Sequence, residues 1–165
     1  ATRPDAQGVE LSRPRAKRSE FVDPHTGPVF SIRFLLALLL ILAGIAWIAY
    51  FYLVVRVDPT AAKPGKPGGP AFMIDLKNWN YLVGFGAVML GLLVSAHPST
   101  PLGRTPGSGA SMVTCFLVGL AWIVAFYVFS NDLSPVPVMN DLGQKNLMVG
   151  IGFMAVGFVF ATRWE

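Results

Sequence analysis

A chain of 165 residues with 53% hydrophobic residues, 13% charged residues and a formal charge of +4 lies far from the roughly 25% charged content of soluble domains. A mean hydropathy of +0.55 excludes a monomer free in water and places the chain in a membrane. The basic excess sits outside the apolar segments, which suits anionic lipid headgroups, and no basic run interleaved with aromatics points to a nucleic-acid partner.

Residues 1–33 come first, mixing Arg13, Arg15, Lys17 and Arg18 with Asp5, Glu10, Glu20 and Asp23 and punctuated by Pro4, Pro14, Pro24 and Pro28. Such a segment buries too little apolar surface to fold alone and reads as a disordered basic tail. Residues 34–55 follow, 22 uncharged positions between Arg33 and Arg56, enough for a helix crossing about 30 Å of hydrocarbon. A cleaved signal peptide is the rival reading of this stretch. It is disfavoured because a long polar segment precedes the run and the run exceeds the roughly 7–15 residues of a signal core.

The stretch 56–77 contains Lys63-Pro-Gly-Lys-Pro-Gly-Gly-Pro70, where proline and glycine favour an extended solvated loop. Residues 78–95 give a second span, 96–110 a Pro/Gly/Ser-rich linker, 111–130 a third span, 131–145 a second loop and 146–162 a fourth span. The continuous apolar runs lack the alternation of barrel strands. The expectation is an all-α membrane protein with four transmembrane helices in two helical hairpins. Eight Lys and Arg on the tail, linker and C-terminus against five on the two loops favour both termini in the cytoplasm.

The two hairpins repeat one another. Gly44-Ile-Ala-Trp47-Ile-Ala-Tyr-Phe51-Tyr52 returns as Gly119-Leu-Ala-Trp122-Ile-Val-Ala-Phe126-Tyr127, identical at six of nine positions. Downstream, Met73, Asp75, Leu76, Asn80, Val83, Gly84, Gly86 and Gly91 reappear 66 residues on as Met139, Asp141, Leu142, Asn146, Val149, Gly150, Gly152 and Gly157. A repeat in fixed order marks one structural unit used twice. With two helices in each, the units are 34–95 and 111–165 and form a parallel repeat.

The chemistry that the spans lack is informative. None contains Asp, Glu, Lys, Arg or His, which argues against a coupled transporter, since ionisable groups in hydrocarbon usually mark ion pathways. A small four-helix channel or facilitator remains the alternative. His25 and His97 stand apart without metal-site spacing, Cys115 is alone, and no nucleophile elbow or phosphate loop occurs. No catalytic, cofactor or metal residue is expected.

Helix packing is the chemistry that remains. Gly84, Gly86 and Gly91, repeated as Gly150, Gly152 and Gly157, would let helix backbones approach closely, and are expected to join the units as an internal pseudo-dimer. Trp47 and Trp122 fall mid-span, where contact with a neighbouring helix suits them better than an interfacial belt.

The run at 119–127, Asn78-Trp79-Asn80-Tyr81 followed by Val83-Gly84-Phe85-Gly86, the terminal Arg163-Trp164, and Lys17-Arg18-Ser19-Glu20-Phe21 in the tail resemble the CrgA family, small two-helix cell-division proteins of actinobacteria. The resemblance spans roughly 15–95 and again 112–165, so this chain departs from the pattern as a tandem fusion. It implies a non-enzymatic protein of the plasma membrane at the division septum. Its implied partners are the tubulin-like ring protein, FtsQ and septal transpeptidases, with a homo-oligomer also open. Expected partner or interface contacts are Asn78, Trp79, Asn80, Tyr81, Arg163 and Trp164, with Arg13, Arg15, Lys17 and Arg18 meeting cytoplasmic division proteins or anionic lipid.

Overall fold

The computed structural model describes residues 30–58, 65–104 and 107–162. The basic residues Arg13, Arg15, Lys17 and Arg18 and the terminal Arg163 and Trp164 lie outside them. Ser31 opens helix α1 (Ile32–Tyr50), its hydroxyl accepting from the Phe34 N–H at 3.2 Å and so pairing one of the donors that a helix start leaves free. The helix runs on as a π turn, Phe51–Val55, closed by the Arg56 N–H donating to the Phe51 carbonyl at 2.8 Å. Then come α2 (Ala71–Leu76), α3 (Trp79–Ser95), α4 (Gly107–Val128), α5 (Met139–Leu142) and α6 (Lys145–Ala161), and among the described residues there is no strand.

Two antiparallel pairs, α1 on α3 and α4 on α6, meet along a seam between α3 and α6. Small residues set the approach within each pair. A Cβ on Gly44 would lie 2.5 Å from the Gly84 carbonyl oxygen, and one on Gly119 would lie 2.6 Å from that of Gly150. One turn or two further along, Gly91 faces the Ala37 carbonyl at 2.8 Å and Gly157 the Met112 carbonyl at 3.3 Å. These contacts lie inside each hairpin, so the glycines at 84, 91, 150 and 157 do not join the units to one another as the sequence suggests. The reason is the face they occupy. Gly84, Val88 and Gly91 are buried toward α1, whereas Gly86 lies off that stripe and a Cβ there would meet nothing within 4 Å. Its counterpart Gly152 alone faces the other unit, against the Met89 side chain.

The seam itself is aromatic. Phe85 of α3 packs edge-on to Trp122 at 5.3 Å and Phe153 at 6.4 Å. Trp47 instead lies 6.0 Å from Phe72 at the start of α2.

Two helices are long and apolar enough to cross a membrane, 32–55 at mean hydropathy 2.6 and α4 at 2.1. The other two expected spans are shorter, 17 residues each, or about 25 Å. They stop short because the chain breaks at their loop ends, where Lys77 and Gly143 take φ of +47° and +51° and set α2 and α5 off as separate short helices. At the linker, α4 starts at Gly107, four residues before the span read from hydropathy. Thr100 folds the preceding segment into a tight turn, its buried hydroxyl donating to the Ser95 and His97 carbonyls.

A polar junction at the loop end as candidate functional site

Both units build the same corner before their second helix. Asn80 Nδ2 donates to the carbonyls of Met73 at 2.7 Å and Lys77 at 2.8 Å, and Asn146 Nδ2 donates to those of Met139 at 2.9 Å and Gly143 at 2.8 Å. The amide thus pairs the orphan carbonyls of a helix that has just ended, and both asparagines are fully buried. Lys77 and Gly143 occupy the same place in this corner. Glycine takes positive φ without steric cost, so the second unit carries the residue the backbone favours and the first does not.

Onto this shared corner the two units add different side chains, and these meet. Arg56, just past the end of α1, forms an ion pair through Nε with Asp141 Oδ2 and donates from Nη2 to Oδ1 at 3.1 Å. Tyr81 donates its hydroxyl to the same carboxylate at 2.7 Å, and Asn78 Nδ2 donates to the Asp141 carbonyl at 2.5 Å. Arg56 and Asp141 are only 10% and 12% exposed, so the paired charges are largely withdrawn from water. Burial disfavours the charged guanidinium, but the hydrogen bond and charge of Asp141 outweigh it and hold Arg56 above its ordinary pKa. Arg56 also lies 4.8 Å over the Tyr52 ring, and Lys145 of the second unit 4.5 Å over that of Trp79. Every one of the contacts to Asp141 runs from the first unit to the second. At the repeat-equivalent positions of the second unit stand Asn131 for Arg56 and Leu147 for Tyr81, so the junction is one-sided.

Of the four residues expected to meet a partner at the entry to α3, the structure leaves two open. Asn78 is exposed and Trp79 is 57% exposed, whereas Asn80 and Tyr81 are fully buried and engaged internally. Tyr81 also packs edge-on to Phe51 at 5.0 Å. Hydropathy reading missed Arg56, Asp141 and Lys145, which it treated as loop charges. The signal was present in Asp141, an acid kept in both copies of the repeat. Beside the junction an open crevice of about 390 Å³ is lined by Arg56, Lys77, Asn78, Asp141 and the apolar end of α1. Trp47 and Trp122, equivalent in the repeat, both bury an indole N–H with no partner among the described residues.

The family model for Cell division protein CrgA matches residues 6–97 and again 106–165. The chain is 44% identical to the Cell division protein CrgA of Streptomyces avermitilis over 54 residues, 33% of this chain and 60% of that protein. It is 34% identical over 82 residues to those of Corynebacterium glutamicum and Corynebacterium efficiens, 44% of this chain and 86% of each relative. No solved structure matches significantly. The two matched segments coincide with the two hairpins that share one corner and one glycine crossing, and the chain belongs to the CrgA family of cell division proteins.

Proposed function

We infer that this chain is a non-enzymatic scaffold of the division septum that crosses the plasma membrane four times and docks other membrane proteins of the division machinery. The family match over both hairpins carries this reading. Four crossings are supported by the outward faces of the shorter helices. Val83 and Leu90 on α3 and Met148, Ile151 and Phe158 on α6 are exposed, as are Leu39 and Leu42 on α1 and Leu117 and Leu120 on α4. Broad apolar surface on all four helices is what lipid accepts and water does not. The glycines at the α1–α3 and α4–α6 crossings supply the close approach that helices need where lipid gives no hydrophobic drive.

In this reading both termini are cytoplasmic and the polar junction faces outward. Arg56, Tyr81 and Asp141 fix the angle between hairpins, and Asn78 and Trp79 stand at the rim as the partner surface. The tubulin-like ring protein on the inner side, and FtsQ and septal transpeptidases in the membrane, are the partners implied by the resemblance. Imaging a fluorescent fusion of the full chain in a dividing actinobacterial cell tests the reading. A band at the septum is expected, and an even distribution around the membrane at every stage of division would contradict it.

A further inference from the structure

At the end of the bundle opposite the junction, α1 begins and α3 and α6 end around an open crevice of about 400 Å³. Leu36, Leu93, Val94 and Val159 give it apolar walls, and Arg33 and His97 stand at its mouth. Arg33 is the last charge before 22 uncharged residues. In a helix that crosses a bilayer its guanidinium therefore lies at headgroup depth, with Leu36 one turn deeper. Arg33 Nη1 approaches the His97 ring at 2.7 Å from Nε2 and 3.0 Å from Nδ1. A guanidinium only donates, and among the described residues no carboxylate forms an ion pair with Arg33. His97 therefore accepts from Arg33, and its Nδ1 also faces the Ser99 N–H at 3.1 Å, so the imidazole steadies the Arg33 guanidinium and Arg33 supplies the positive charge above a hydrocarbon-lined slot.

We propose that this crevice binds one phospholipid of net negative charge, its phosphodiester accepting from the Arg33 guanidinium that His97 holds in place and an acyl chain lying against Leu36, Leu93, Val94 and Val159. The proposal rests on the reading of α1, α3 and α6 as membrane-crossing helices. The planar guanidinium matches two phosphate oxygens at once. A zwitterionic headgroup would bring its own cation beside Arg33, so charge complementarity selects an anionic one. The walls extend the site down into hydrocarbon, a feature that a lipid uses and free phosphate does not. The second unit does not repeat the site, because the fully buried Ser108 stands at the position equivalent to Arg33.

Native mass spectrometry of the full chain, titrated with phosphatidylglycerol or phosphatidylcholine of matched acyl chains, tests it. One retained phosphatidylglycerol is expected, bound about tenfold tighter than phosphatidylcholine. Arg33→Gln removes that preference, His97→Gln reduces it, and Lys66→Gln in the exposed loop leaves it unchanged. Carbonate washing of vesicles carrying each variant, run alongside, separates this proposal from the membrane reading. Protein that stays in the vesicles yet shows no lipid preference, or keeps the preference in Arg33→Gln, overturns the proposal alone. Protein extracted by carbonate overturns the membrane reading and the proposal with it. Displacement of the lipid by millimolar inorganic phosphate would show a free-phosphate site only and would likewise overturn it.

Discussion

Adding one methyl group at Gly44 and one at Gly86 should move stability in opposite directions. A Cβ at Gly44 would lie 2.5 Å from the Gly84 carbonyl oxygen and 2.9 Å from the Val88 nitrogen. Both are backbone atoms in the partner helix and neither can swing aside. Relief requires α1 and α3 to separate by roughly 1 Å, and a gap of that size forfeits a quarter to a half of the dispersion attraction along the contact. Overpacking of this kind costs about 1–3 kcal/mol. Replacing glycine by alanine in a helix interior returns about 1 kcal/mol of backbone entropy at either site. The propensity gain cancels when the two variants are compared, so Gly44→Ala should be less stable than Gly86→Ala by about 1–3 kcal/mol, with Gly86→Ala at or above the wild type. Gly119→Ala, whose Cβ would meet the Gly150 carbonyl at 2.6 Å, should follow Gly44→Ala. Unfolding in mixed micelles of increasing dodecyl sulfate content, followed by circular dichroism, reads these differences. Equal midpoints for Gly44→Ala and Gly86→Ala would refute the close crossing.

Lys77→Gly should stabilise the protein by about 1 kcal/mol in the same assay, because Lys77 holds φ at +47° where Gly143 sits in the other unit and the strain of a side chain there is of that order; a loss of stability would contradict it. Asp141→Asn removes the close charge partner of Arg56, leaving only Asp58 at 4.0 Å, and should cost up to about 3 kcal/mol. Adding Arg56→Gln to it should cost less than the two single changes summed, and strict additivity would show that the pair is not coupled. Trp79→Ala should weaken co-purification with membrane division partners while Lys145→Ala, which only uncovers the ring, should not; equal losses at matched expression would return Trp79 to the role of lipid anchor.

Apolar runs and the internal repeat were legible in the sequence because each depends on composition and order alone. The Gly84 and Gly91 spacing also marked a helix face, but not which helix it met, since a stripe of small residues fits a neighbour in the same hairpin as well as one across the seam. The short helices α2 and α5 escaped the reading, since Met73-Ile-Asp-Leu76 and Met139-Asn-Asp-Leu142 are too short to show a helical period. What makes them helices is the buried amide of Asn80 or Asn146 seven residues downstream of the carbonyl it caps. The Arg56–Asp141 pair joins residues 85 positions apart. No local pattern encodes such a contact, and it forms only after both hairpins are built and docked.

Cysteine accessibility across the membrane bears most directly on the double-hairpin architecture from which the functional reading follows. In a Cys115→Ser background, single cysteines at Lys66, Pro98 and Asn131, all exposed positions, are treated in whole cells with a membrane-impermeant maleimide. Four crossings with cytoplasmic termini predict labelling at 66 and 131 and protection at 98. If only the two longer helices cross, 66 and 98 share one side and 131 takes the other, and that pattern would contradict the account.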